Sequence, residues 1–156
     1  MARLASIGKQ LGDMPKPIEW VNNTVKLGPK QWNAQGGGAK DEQTVDGQRC
    51  LHIRADGTAA ASWRRSIALE PGRYRFEAMV KTADVAPGGD DTGEGAGLRI
   101  SGGRRKGVNG LTGSAAWQKI GFEFDGGGEV VLVAELRSAK GEAWFQTESL
   151  QIVRVK

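Results

Sequence analysis

Short runs of alternating apolar and polar residues, each closed by Gly, Pro, Asp or Asn, fill this chain from about residue 18 onward. GRYRFEAMVKTADV, residues 72–85, sets the type. Tyr74, Phe76, Ala78 and Val80 share one parity, while Arg73, Arg75, Glu77 and Lys81 share the other. A period of two belongs to a strand with one buried face. No 3.6-residue period is sustained, apart from a short helical turn expected near residues 2–11.

The runs are IEWVNNTVKL, GQRCLHIRA, AAASWRRSIAL, residues 73–85, AGLRISG, AAWQKIGFEFDG, EVVLVAELRSA and EAWFQTESLQIVRV. The Gly-rich GPKQWNAQGGGAKDEQ reads as irregular, and APGGDDTGEG as a long mobile loop. ADG at 55–57 carries a hairpin signal and EPG at 70–72 a type II turn. DGGGE at 125–129 and SAKGE at 138–142 are short connections. They predict strands 115–125, 129–139 and 142–155 as successive antiparallel neighbours or near neighbours. About eight strands at this spacing predict an all-β fold, a two-sheet antiparallel β-sandwich of jelly-roll type.

At 156 residues the chain suits one domain, with residues 1–17 as an N-terminal linker or extension and 18–156 as the sandwich. The 24 glycines fall between apolar runs and act as turn punctuation. A net charge of +4 comes from 22 basic and 18 acidic residues spread along the chain, not gathered on one face as a nucleic-acid binder would have them, so nucleic acid is not expected as a partner. Arg104, Arg105 and Lys106 form the one dense basic cluster and read as a solvated hairpin tip. A single cysteine, Cys50, excludes an intramolecular disulfide and reads as a buried small hydrophobe. MARLASIGKQLGDMPKPIEW has no apolar core of the kind a secretory signal needs, so it is not expected to act as one, and no stretch is expected to cross a bilayer. The compartment stays open: extracellular or cell-surface for a piece of an exported chain, cytoplasmic otherwise.

Catalytic chemistry has little material here. The one histidine, His52, lies on the polar parity of its strand and reads as a surface imidazole. Glu77, Glu123 and Glu135 occupy polar strand positions that nothing in the sequence pairs across a groove. The GGG at 36–38 and GGGE at 126–129 lack the strand-loop-helix setting of phosphate loops and count as turns. No enzyme is expected.

The order DGQRCLHI, ASWRRSIALEPGRYRFEAMVKT, GLRIS, GSAAWQKIGFEFDGGGEVVLVAEL, GEAWFQTESLQI, from about residue 44 to 155, resembles the jelly-roll carbohydrate-binding modules appended to bacterial polysaccharide-degrading enzymes. These are galactose-binding-like sandwiches. The resemblance implies a non-catalytic accessory domain that binds a poly- or oligosaccharide, with other domains of a longer parent chain as partners. Many such modules carry Asp-Asp after the closing aromatic pair, and one carboxylate helps to bind a structural calcium. Here Gln146 and Thr147 stand at those positions, with Glu148 following. Asp90, Asp91 and Glu94 lack a defined ligand ladder, so no metal or other cofactor is expected.

Sugar rings present apolar C–H faces that stack on indoles while polar side chains bond the hydroxyls, and five tryptophans are generous for this length. Trp117 matches a core tryptophan of the resembled modules, and Tyr74, Phe76, Phe122 and Phe124 are expected in the core. Trp20 and Trp32 serve either as a platform or as an end plug. Of Trp144 and Phe145, one points away from the core. The stacking candidates are Trp32, Trp63 and Trp144. The hydrogen-bonding candidates are Arg75, Glu77, Arg99, Glu135 and Arg137, expected with Arg73 on one sheet face. On a concave sheet they form a groove for hydroxylated or acidic polymers; on a convex one they are a soluble, ion-paired surface. The alternative function, from a different class, is a structural or adhesive sandwich that docks on protein through the same residues.

Overall fold

The computed structural model describes residues 20–57, 60–90, 92–105 and 109–155. The helical turn expected near 2–11 and the linker at 1–17 lie outside the described residues. Among the described residues ten strands follow one another: β1 (Thr24–Lys26), β2 (Asn33–Gly36), β3 (Ala39–Val45), β4 (Gln48–Asp56), β5 (Ala61–Ala83), β6 (Gly89–Asp90), β7 (Gly93–Ile100), β8 (Gln118–Arg137), β9 (Lys140–Gln146) and β10 (Gln151–Arg154). Every pairing is antiparallel.

Two of these strands are long enough to belong to both layers of the sandwich. The first layer runs β3, β4, β9, the second half of β5 and the first half of β8; β10 also flanks β5, and β1 pairs with β10. The second layer runs β2, the first half of β5, the second half of β8, then β7 and β6. Passage between layers occurs where the register shifts between Leu69 and Gly72 on β5, opposite Gly126–Gly128 on β8. Gly127 and Gly128 take φ values of 150° and 98°, a region that side chains resist, so the bend needs glycine there. The Tyr74 hydroxyl donates to the Glu70 carbonyl at 2.7 Å and pins the bulge from within the same strand.

The inward parity of both layers meets in one core. Leu51, Ile53, Phe76, Val80, Phe145 and Ile152 from the first layer join Ile67, Leu98, Leu132 and Leu136 from the second, all buried. Tyr74, Phe76, Phe122 and Phe124 take their expected core places, with Phe76 and Phe122 edge to face at 6.2 Å. Burying each such side chain stabilises the fold by about 1.5–3 kcal/mol, so the alternating parity is the main driving force for this architecture.

Several local expectations change. Glu70-Pro71-Gly72 is a bulge within β5, and residues 125–129 lie inside β8, so neither reverses the chain. Residues 118–125 and 129–137 are therefore two halves of one strand in different layers, and β9 pairs with β4 and β5 instead of β8. The Asp-Gly at 56–57 leads from β4 in the first layer to β5 in the second, without pairing them. A two-residue reversal occurs at Asp46-Gly47 instead, with φ of 53° and 75°, closing the β3–β4 hairpin at Val45↔Gln48. The segment expected as irregular holds β2 and β3, and part of the expected mobile loop is the β6–β7 pair.

Candidate functional site

The outer face of the first layer is assembled from the polar parity of its strands. Register places His52 on β4 opposite Trp144 on β9, and Trp144 opposite Lys81 on β5. Asp41 on β3 stands opposite His52. Trp117 precedes Gln118, which pairs with Val80, and so continues the row beyond Lys81. Strands lie about 4.8 Å apart, which sets Trp144 and Trp117 roughly 10 Å from each other, backbone to backbone. Two indoles thus flank one lysine.

Each indole is half-buried and tethered at its N–H. Trp144 Nε1 donates to Gln43 Oε1 at 2.9 Å, and Trp117 Nε1 donates to Asp46 Oδ2 at 2.9 Å. Lys81 Nζ donates to the same Asp46 oxygen at 3.0 Å and lies 6.0 Å from the centre of the Trp117 ring, within cation–π range. The hydrogen bonds from Lys81 and then Trp117, with the lysine charge, hold the Asp46 carboxyl below the usual carboxylate range. The Asp46-Gly47 hairpin tip is what delivers that carboxylate to the row. A shallow hollow of about 200 Å³, lined by Lys26, Met79, Lys119, Ser149 and Gln151 among others, continues the face beside Met79.

The sequence-derived candidates distribute unevenly about this face. Trp144 belongs to it. Arg75 and Glu77 lie further along the same face, where Glu77 is 4% exposed in its side chain and is held by Arg75 Nε at 2.9 Å, Gln151 Nε2 at 2.5 Å and Lys119 Nζ at 3.3 Å. Arg99, Glu135 and Arg137 sit on the outer side of the second layer, because β5 and β8 change layers between the two sets. One shared face of all these charges, as expected from the alternation, does not form.

Glu135 is itself 1% exposed, although its parity points outward. Arg99 Nε contacts both its oxygens at 3.0 and 2.9 Å, Arg105 Nε lies 3.2 Å from Oε2, and Arg137 Nε lies 3.1 Å from Oε1. Arg105, expected as part of a solvated tip, reaches back over β7 to do this. These groups hold one another in place of an open groove.

The remaining indoles pack. Trp32 is 8% exposed and donates to the Gly28 carbonyl at 2.9 Å, so it presents no free ring face. Trp63 packs against the core and donates to the His52 carbonyl at 3.1 Å. Trp20 stacks on Tyr74 at 5.8 Å. Trp117, expected in the core, is instead a half-buried residue of the row; its odd parity, opposite to that of Ile120, Phe122 and Phe124, was the signal. His52, expected at the surface, is 3% exposed. Burial pushes the Cys50 thiol up to about 11, which leaves it without nucleophilic character near neutrality. The Thr147 hydroxyl donates to the Arg49 carbonyl, and no group of three or more His, Cys, Asp or Glu that could hold a metal ion gathers among the described residues. No helix among them is long and apolar enough to cross a membrane.

No protein-family model matches the chain, and no curated protein does. Solved structures match over most of its length. TmCBM61, in complex with beta-1,4-galactotriose, gives a TM-score of 0.55 at 12% identity, covering 87% of this chain and 98% of that one. The CBM22-1 xylan-binding domain of Paenibacillus barcinonensis Xyn10C gives 0.56 at 17% identity, covering 92% and 99%. The CBM22-1 and GH10 modules of Clostridium thermocellum Xyn10B, complexed with xylohexaose, give 0.56 at 12% identity, covering 90% of this chain and 29% of that one. At these identities the likeness is one of fold, a β-sandwich of the type found in carbohydrate-binding modules.

Proposed function

We propose that this chain binds a poly- or oligosaccharide, without transforming it, on the outer face of its first layer. Trp144 and Trp117 stack on sugar rings, while Lys81, Asp46 and Gln43 bond hydroxyls around them. The observation that carries this reading is the pair of tethered indoles flanking Lys81 in one row. Their N–H bonds preset the rings, so little rotamer freedom is lost on binding. The sandwich likeness to galactotriose-, xylan- and xylohexaose-binding proteins supports the ligand class. Attachment of one of these to a GH10 module supports an accessory role beside a catalytic domain.

A purely adhesive role has less support. Among the described residues the exposed large hydrophobics are Val21 and Val155 alone, too little for an apolar docking patch. Titration with galactan and xylan, followed by tryptophan fluorescence and calorimetry, tests the proposal. Trp144→Ala is expected to weaken binding of the responsive polysaccharide about tenfold or more, near 1.4 kcal/mol, with the fold unchanged by circular dichroism. Wild-type affinity in both Trp144→Ala and Trp117→Ala would sink it.

A further inference from the structure

We propose that His52 is a positioning residue for the Trp144 indole, acting as a double hydrogen-bond donor between two carboxylates, so that the binding face responds to the charge of one imidazole. This rests on the saccharide-binding reading above.

An outward-facing strand histidine is ordinarily wet, yet His52 is 3% exposed. Its ring lies 5.3 Å from the Trp144 ring at an interplanar angle of 29°. Nδ1 is 2.6 Å from Asp41 Oδ1 on β3, and Nε2 is 3.1 Å from Glu142 Oε1 on β9. Ionised carboxylates only accept, and a neutral imidazole carries one N–H. The neutral ring therefore satisfies one of these contacts and sets a lone pair against an oxygen in the other. The protonated ring donates to both.

In that state the imidazole ties β3, β4 and β9 together beside the indole. Gln43, also on β3, holds the indole N–H, so the frame around Trp144 depends on the same strand that Asp41 anchors. The other groups facing this site are Arg54, opposite Glu142 in register; Lys81, opposite Trp144; and Cys50, two residues before His52. From the second layer, Trp63 Nε1 donates to the His52 carbonyl and holds the main chain that carries the ring. Loss of the proton releases one bridge and loosens the surface against which Trp144 stacks.

His52 is the sole histidine, so its imidazole resonances are unambiguous by NMR. Across a pH series without saccharide, the imidazole and the Trp144 indole N–H signals should shift together with one common midpoint. Saccharide affinity should fall about two- to tenfold as pH rises through that midpoint, the worth of one hydrogen bond. Glu142→Gln supplies an amide that donates to the bare nitrogen of the neutral ring, so its affinity should be flat with pH. A Trp144 indole signal indifferent to the imidazole midpoint overturns the proposal, as does a wild-type pH slope in Glu142→Gln. Absence of saccharide binding at every pH would sink the binding reading instead, while the ligand-free titration still decides the positioning role.

Discussion

Glu77 illustrates what happens to a charged side chain on the outer parity of a crowded strand. Burial alone would raise its pKa, but hydrogen bonds from Gln151, Arg75 and Lys119 outweigh that and leave the carboxyl below its ordinary range. A depressed folded-state pKa stabilises the native state fully above the unfolded value, about 4.3, and that contribution is lost as pH falls through the folded value. Glu77→Gln should therefore unfold at lower urea than the parent at pH 7, with the difference shrinking below about pH 4. The same crowding explains which residues were legible beforehand. Parity assigned Tyr74, Phe76 and Phe122 to the core correctly, because the inner face is buried whatever the strand order. It misjudged His52 and Glu77, because burial on an outer face comes from neighbours across strands, here Trp144 and Gln151, which no local pattern announces.

At the level of elements, β7 shows a sequence device with a structural purpose. In Gly93-Glu94-Gly95-Ala96-Gly97 the glycines share the outer parity, and Arg105 lies along the strip they leave bare. A Cβ at Gly97 would stand 2.6 Å from the Asn109 carbonyl oxygen and 2.7 Å from Arg105 Nε. Gly97→Ala should cost about 1–3 kcal/mol in chemical denaturation, the usual penalty for forcing bulk into a filled space. Gly and Pro also account for the misread connections. Pro71-Gly72 and Gly126–Gly128 do mark departures from regular strand, yet a local signal cannot distinguish a reversal from a change of layer. β3 escaped notice because AKDEQTV is almost wholly polar, and its pairing with β4 depends on the Asp46-Gly47 turn.

For the whole molecule, the ion cluster on the second layer is a structural tie between elements distant in sequence. Glu135→Gln would leave Arg99, Arg105 and Arg137 facing an uncharged partner, and is expected to destabilise the fold by about 3–5 kcal/mol in urea while sparing saccharide affinity. The class of fold was readable from alternation alone. The location of the candidate face was not, since it required knowing that β5 and β8 carry Arg75 and Glu77 on one layer but Glu135 and Arg137 on the other. Only Trp144 of the foreseen indoles ended on that face, and Trp117 joined it from outside any strand. The uninterrupted course of β5 and β8 through both layers has a mechanical side. A polymer pulling on Lys81 and Trp117 in the Trp144 row would load main chain that runs through the bend into the far sheet, so the two halves are joined by covalent chain as well as by packing.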